Sequence, residues 1–275
     1  MNIKKIDISN LNDLINELEK YRLELINIDY VHNKKNFFDI MKKLRKFLSS
    51  IKDENLYKTL FHSKYYKFYK NYFSNMNEYY LRSVEAIQSL SIMTKWIHNF
   101  DSFADLMDKE IIKQSFDSKK NEIKHLNFTD AKTLVMVWSW PLPETLLYLY
   151  ENTKIKNIIW IDYNHEAIFM SWEMVSWLNL DKITFHQWNW MYYDYSKADI
   201  IYIPLFTSPK DKILKRIIET WKNSVQILVA LPKWLWNLIY DWIWDIHPRL
   251  KITAKEDVSN LYNFQEIINL EKYNF

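Results

Sequence analysis

The chain has 275 residues, 48% of them hydrophobic and 26% charged, with a formal net charge of +3. That length is enough for two domains with sizeable cores, and a mild basic balance spread along helical faces does not point to nucleic acid. No cysteine is present, which excludes disulfides, thiolate metal sites and a cysteine nucleophile, and fits a cytoplasmic chain.

The opening MNIKKIDISNLN lacks an apolar signal core, and no apolar run reaches the length of about 18 residues that would span a membrane, so a soluble protein is expected. Residues 1–118 read as a helical bundle domain. Leu11, Leu14, Ile15 and Leu18 keep near-helical spacing, and Phe37, Ile40, Met41, Leu44, Phe47, Leu48 and Ile51 do so more clearly. Leu56 to Phe73 predicts a strongly aromatic helix, either a thick core helix with its hydroxyls at the rim or a wall facing a substrate. A further helix is predicted over Tyr79–Met93, carrying Glu85 among apolar neighbours, and another over Phe103–Ile112. The charge-rich stretch Asp117–Glu122 reads as the linker.

From residue 119 to 275 the rhythm changes to strand–helix alternation. Strands are predicted at Thr133–Val137, Ile158–Ile161, Ile183–Phe185, Ile200–Ile203 and Val225–Leu231. Helices are predicted between them at Pro143–Glu151, Glu166–Leu178 and Pro209–Thr220. Repeated βα units imply an α/β fold, a Rossmann-like, doubly wound parallel sheet with right-handed crossovers. Ligands of such sheets sit at the carboxyl ends of the strands.

The turn after the first strand, Trp138-Ser139-Trp140-Pro141-Leu142-Pro143, stands where backbone N–H groups at a helix N-terminus would receive a ligand. Such a turn needs glycine, for positive φ and for close approach of the ligand to the backbone. Here two tryptophans occupy it. The chain contains no Gly and 13 Trp, whereas average usage of about 7% would give roughly 19 Gly. Twelve of the 13 Trp lie between Trp138 and Trp244, many at turn-like places and often as W-x-W. These positions are therefore read as glycines written as Trp, the result expected when a UGA codon decoded as glycine is translated as Trp. A truly Gly-free, Trp-rich chain is the alternative. Its cleft would be filled by Trp138 and Trp140, leaving only a binding or scaffold role.

Two further features reach the same sheet edge. Asp162 ends the second strand, where a carboxylate can accept both hydroxyls of a ribose; the ordinary alternative is an Asp capping the next helix. His186-Gln187-Trp188-Asn189-Trp190 follows the third strand, where Asn189 would meet the amine of an adenine. No Lys/Ser pair follows the turn, which excludes a P-loop. An adenosyl ligand without phosphates is implied, S-adenosylmethionine. The cofactor-binding candidates are thus Trp138, Ser139, Trp140, Pro141, Asp162, Tyr163, Asn189, Trp190 and Pro204. The seven His show no H-x-H or H-x-x-x-H spacing, so no metal site is expected.

With Trp read as Gly, the stretches become V-G-S-G-P-L-P, I-G-I-D-Y-N-H-E-A and S-G-E-M-V-S-G-L, and the chain resembles the nicotianamine synthase family. The P-L-P continuation of the turn carries the resemblance, with Thr184-Phe185-His186, Ala198–Tyr202 and Leu231–Tyr240 as further matches. It is strong over 133–240 and weak before about residue 70, and the chain departs from the family pattern at Glu144 and Asn189. The resemblance implies a helical domain before a class I methyltransferase-type sheet. It implies transfer of the 3-amino-3-carboxypropyl group of S-adenosylmethionine to an amine, with release of methylthioadenosine and assembly of a metal-chelating small molecule. It also implies Glu85 as the base or amine anchor, with Tyr80 beside it, and small-molecule partners, with a homodimer possible. An ordinary S-adenosylmethionine-dependent methyltransferase would share the sheet and Asp162.

Overall fold

The computed structural model describes residues 8, 10–30, 32–99, 117, 119–124, 126–137, 143–221, 224–241, 243, 246–259 and 265–272, without the side chains at 85, 88, 89, 91–99 and 272. The helix expected at Phe103–Ile112 and the turn Trp138–Leu142 lie outside the described residues. The chain divides into two compact units. One comprises Met1–Leu81 with Pro232–Tyr240, the other Arg82–Leu231 with Asp241–Phe275.

The first unit is built on α1 (Leu11–Ile26), α2 (Lys34–Ser50), α3 (Glu54–Phe61) and the N-terminal half of α4 (Tyr66–Asn99). Asn10 starts α1 by accepting the Asp13 N–H, and Asp53 starts α3 by accepting the N–H groups of Asn55 and Leu56. Along α2, Phe37, Ile40, Met41, Leu44, Phe47 and Leu48 are buried, the stripe that their three- and four-residue spacing predicts. The single aromatic helix expected over Leu56–Phe73 is instead two. The turn at 62–65 separates them, with Ser63 donating its N–H and its hydroxyl to the Leu60 carbonyl. Beyond it α4 runs unbroken through Asn75 and Asn77, because neither Gly nor Pro interrupts it. Its first turns bury Tyr66, Tyr69 and Phe73 and leave Phe68 exposed.

The segment after the fifth strand belongs to this helical unit. Arg45 donates to the Asn77 Oδ1 at 3.0 Å and to the Tyr240 hydroxyl at 2.6 Å, and lies 5.0 Å over the Trp236 ring. Trp236 is buried, and its indole N–H donates to Ser49 Oγ at 3.1 Å. Trp234, two residues earlier, has φ of 47°, in the left-handed region that favours glycine. We expect Trp234→Gly to stabilise the protein by about 1 kcal/mol, read as a higher midpoint in urea with an unchanged slope. A lower midpoint would mean that the indole contributes more packing than the backbone conformation costs.

The second unit holds a seven-stranded sheet of order β3-β2-β1-β4-β5-β7-β6. Its strands are β1 (Thr133–Val137), β2 (Asn157–Asp162), β3 (Ile183–Gln187), β4 (Ile200–Ile203), β5 (Gln226–Pro232), β6 (Leu250–Asp257) and β7 (Gln265–Lys272). The helices α5 (Glu144–Asn152), α6 (His165–Trp177) and α7 (Lys210–Thr220) join β1 to β2, β2 to β3 and β4 to β5, while β3 reaches β4 through a short 3-10 turn at Tyr195–Lys197. Those five strands pair in parallel, and β6 pairs antiparallel with β7. The inner parallel strands are near-continuous apolar runs because both faces are covered, every residue of β4 being buried, whereas the edge strand β3 leaves most of its residues exposed. The chain runs outward from β1 to β2 and β3, then returns to place β4 on the other side of β1, so the strand order reverses between β1 and β4. Among the described residues no helix is long and apolar enough to cross a membrane.

Glu122, on the helical stretch before β1, is 2% exposed and ties that stretch to the sheet. It accepts from the Tyr202 hydroxyl on β4, from Gln265 on β7 at 2.9 Å and from Lys119 at 2.9 and 3.0 Å. Burial works to raise its pKa, but the Lys119 ammonium and these donors outweigh burial and hold it below the ordinary value. A carboxyl lowered on folding stabilises the protein above its unfolded pKa, and that contribution is lost as pH falls through the folded value. Glu122→Gln should therefore cost roughly 1–3 kcal/mol at pH 7, with the difference from the parent closing in acid. Denaturant melts at neutral pH and below pH 4 test this; a penalty independent of pH would show that packing, not charge, carries it.

Candidate active site at the carboxyl edge of the sheet

The crevice of a doubly wound sheet lies outside the strand ends at the reversal of strand order, here beside β1. Three described segments reach this edge next to β1: the end of β2, the loop after β3 and the loop after β4.

Asp162 closes β2 and is 1% exposed. One carboxylate oxygen accepts the Asn164 N–H at 2.7 Å, while its carbonyl accepts the Trp188 N–H at 2.8 Å. The helix cap that Asp162 could have supplied is made by Asn164, which accepts from the N–H groups of Glu166 and Ala167. Asp162 is therefore not the cap of α6, and the ordinary explanation for an Asp at this place falls away. Its carboxylate is fixed by the turn it starts.

Tyr163 is 47% exposed and edge-on to Trp190, with ring centroids 4.9 Å apart. Arg82, from the second half of α4, donates to its hydroxyl oxygen at 2.5 Å and lies 5.4 Å over its ring. The structure thus brings Asp162, Tyr163 and Trp190 together, with a guanidinium that the sequence alone did not single out. Asn189 is adjacent, and its side-chain oxygen accepts the Met191 N–H at 3.0 Å in a local turn. The Trp190 carbonyl accepts from the buried Tyr195 hydroxyl at 2.9 Å, and burial raises the Tyr195 pKa far enough to keep it a donor.

Pro204 follows β4 and begins a tight turn, its carbonyl accepting the Thr207 N–H at 3.2 Å. Tyr80 lies in the helical unit, packed edge-on against Phe38 at 5.6 Å with the Arg45 guanidinium 5.7 Å from its ring. Burial raises the Tyr80 pKa, against the opposing pull of Arg45, so at neutral pH the phenol is a donor and not a base. Glu85 stands on α4, and its side chain lies outside the description, as do Trp138, Ser139, Trp140 and Pro141. Among the described residues no group of three or more His, Cys, Asp or Glu could hold a metal ion.

Thr207 and Lys210 were also missed in the sequence. Their only local signal is the T-S-P-K run before α7, which reads as an ordinary helix start.

No protein-family model matches the chain, and no curated protein matches it. Solved structures do. A mutant of MtNAS, a nicotianamine synthase, in complex with S-adenosylmethionine superposes with a TM-score of 0.74 at 13% identity, covering 94% of this chain and 97% of that one. MtNAS in complex with MTA and tNA gives a TM-score of 0.73 at 14% identity, over 95% of this chain and 98% of that one. The likeness is one of fold: a mixed α/β chain with a class I methyltransferase-like sheet.

Proposed function

We propose that the chain is a nicotianamine synthase-like aminocarboxypropyltransferase that uses S-adenosylmethionine as substrate. The observation that carries this reading is the extent of the likeness. It takes in the helical portion together with the sheet, over 94% of the chain, and the neighbour holds S-adenosylmethionine. A nucleoside-binding sheet by itself would serve methyl transfer equally well.

Asp162 would take the ribose hydroxyls, the turn after β1 the backbone-facing part of the ligand, and Trp190 and Asn189 the adenine. An amine then attacks the γ-carbon of the aminocarboxypropyl group. The carbon–sulfur bond breaks, its electron pair stays on sulfur, and methylthioadenosine leaves. The proton released by the amine goes to a positioned base, for which Glu85 is proposed. Methyl transfer would break a different bond of the same sulfonium and leave adenosylhomocysteine.

The parent for these tests is the full chain carrying Trp138→Gly and Trp140→Gly, and product chromatography separates the two, with S-adenosylmethionine as donor and the protein amino acids as acceptors. Methylthioadenosine with a new secondary amine is expected; adenosylhomocysteine would replace this reading by a methyltransferase, and neither product with no binding would leave a scaffold role. Asp162→Asn should weaken S-adenosylmethionine about tenfold to a hundredfold in calorimetry, as loss of charged hydrogen bonds to a diol requires. Unchanged affinity would remove Asp162 from the site.

A further inference from the structure

Outside the residues that would touch the ligand, one buried cluster spans the loops at the reversal of strand order. Thr207 and Lys210 are both 0% exposed. The Thr207 hydroxyl donates at 3.3 Å to the carbonyl of Val137, the last residue of β1 and the one from which the candidate cofactor turn departs. The Lys210 ammonium donates to the carbonyls of Leu205 and Thr207 at 2.7 Å each and of Asp241 at 3.3 Å. The Asp241 carboxylate in turn accepts the Lys210 N–H at 2.9 Å and the Ser208 hydroxyl at 3.4 Å. One buried cation therefore binds the loop after β4 to the chain at Asp241, and Thr207 joins that assembly to the end of β1.

A buried ammonium is costly unless its donors are satisfied. An ordinary loop closure can be made with neutral groups, so a charge here is a strong fixing device. Its place tells what it fixes. With the ribose at Asp162 on β2, a ligand crossing β1 toward β4 covers two strand spacings, about 10 Å, and its other end arrives beside Pro204–Thr207. The sulfonium, bonded to the ribose C5′, then stands about one strand spacing from Asp162, over the end of β1 that Thr207 holds, and the aminocarboxypropyl arm runs on toward the loop after β4.

We propose that Thr207, held by Lys210, is a positioning residue that sets the end of β1 and the loop after β4 so that the aminocarboxypropyl carbon, rather than the methyl, is presented to the amine. This rests on the function proposed above. The ribose anchor is untouched by it, so the effect falls on turnover and product choice more than on affinity, since small misplacements of reacting atoms cost large rate factors.

The test uses the full chain carrying Trp138→Gly and Trp140→Gly, with S-adenosylmethionine and the protein amino acids, and follows kcat, KM and both sulfur products. Thr207→Val keeps the volume and removes the hydroxyl. It should lower kcat about tenfold or more, leave the S-adenosylmethionine KM within about threefold, and raise the share of adenosylhomocysteine. Thr207→Ser, which keeps the hydroxyl, should restore both rate and product ratio. Lys210→Met removes the cation and can fail to fold, so the Val and Ser pair decides. Equal losses in the Val and Ser variants, or a Val variant with the parent's kcat and product ratio, would overturn the positioning role. A parent that makes methylthioadenosine keeps the proposed function standing even then; a parent that makes no product overturns both.

Discussion

The full chain with Trp138→Gly and Trp140→Gly should bind S-adenosylmethionine with measurable heat, whereas the chain as written should give none. The expected gain in affinity is at least about a hundredfold, roughly 2.8 kcal/mol. The argument begins with the backbone. A turn between a buried strand and a helix N-terminus must let a ligand approach its N–H groups, and any Cβ there stands in the way. An indole brings on the order of 150–250 Å² of side-chain surface to each of two positions in the same turn.

The structure gives independent grounds for reading some tryptophans as glycine, and it sorts them. Trp234 stands at φ 47°, where a bulky side chain is strained. Trp172, Trp177 and Trp188 are 49%, 44% and 56% exposed, with large apolar rings in solvent. Trp160 is buried in β2 with its indole N–H unpaired, at a cost of about 1–3 kcal/mol. Trp236 differs, being buried and hydrogen-bonded to Ser49. Peptide masses from protein isolated from its own source decide each position, because Gly and Trp differ too much in mass to be confused. The peptide Lys132–Lys154 should carry Gly at 138 and 140. Trp at both would favour a binding role; turnover by the chain as written would instead end this account of a blocked cleft and leave the enzyme standing.

The parallel half of the sheet was legible because its strands are buried on both faces and read as apolar runs: β1 and β4 fall where the pattern puts them, and α5 to α7 lie within one residue of the expected limits. The final hairpin, β6 and β7, was not legible. β6 alternates charged residues with Ile252 and Ala254, exposes most of them and contains a register shift, so its pattern is that of an edge strand and not of a core. The break between α3 and α4 was hidden for a different reason. His62 to Tyr65 contains no Gly or Pro, and the turn is made by Ser63 bonding back to Leu60. The sequence offered Asp162 as a ribose anchor or a helix cap, and the structure gives the cap to Asn164. Arg82 and Thr207 are far from their partners in sequence, Lys210 pairs both locally and with the distant Asp241, and no local pattern marks a hydrogen bond from residue 207 to residue 137.

Glu85→Gln should lower turnover by about a hundredfold to ten-thousandfold and leave the affinity for S-adenosylmethionine unchanged, the signature of a lost general base. The α-amine of an amino-acid acceptor titrates well above neutrality, so at pH 7 nearly all of it is protonated and has no lone pair to offer. A carboxylate of similar size to the replacing amide can draw off that proton and orient the nitrogen; the amide cannot. Tyr80 does not take over, because burial raises its pKa and keeps its proton on at neutral pH. The pH profile separates this role from a structural one. In the Gln variant the rate should climb as pH passes the amine's own pKa, since free amine then forms without a base, and the gap to the parent should narrow above about pH 9. A residue that merely holds the helix would give a loss that is constant across pH. A variant within about twofold of the parent at pH 7 would move the search for the base away from α4.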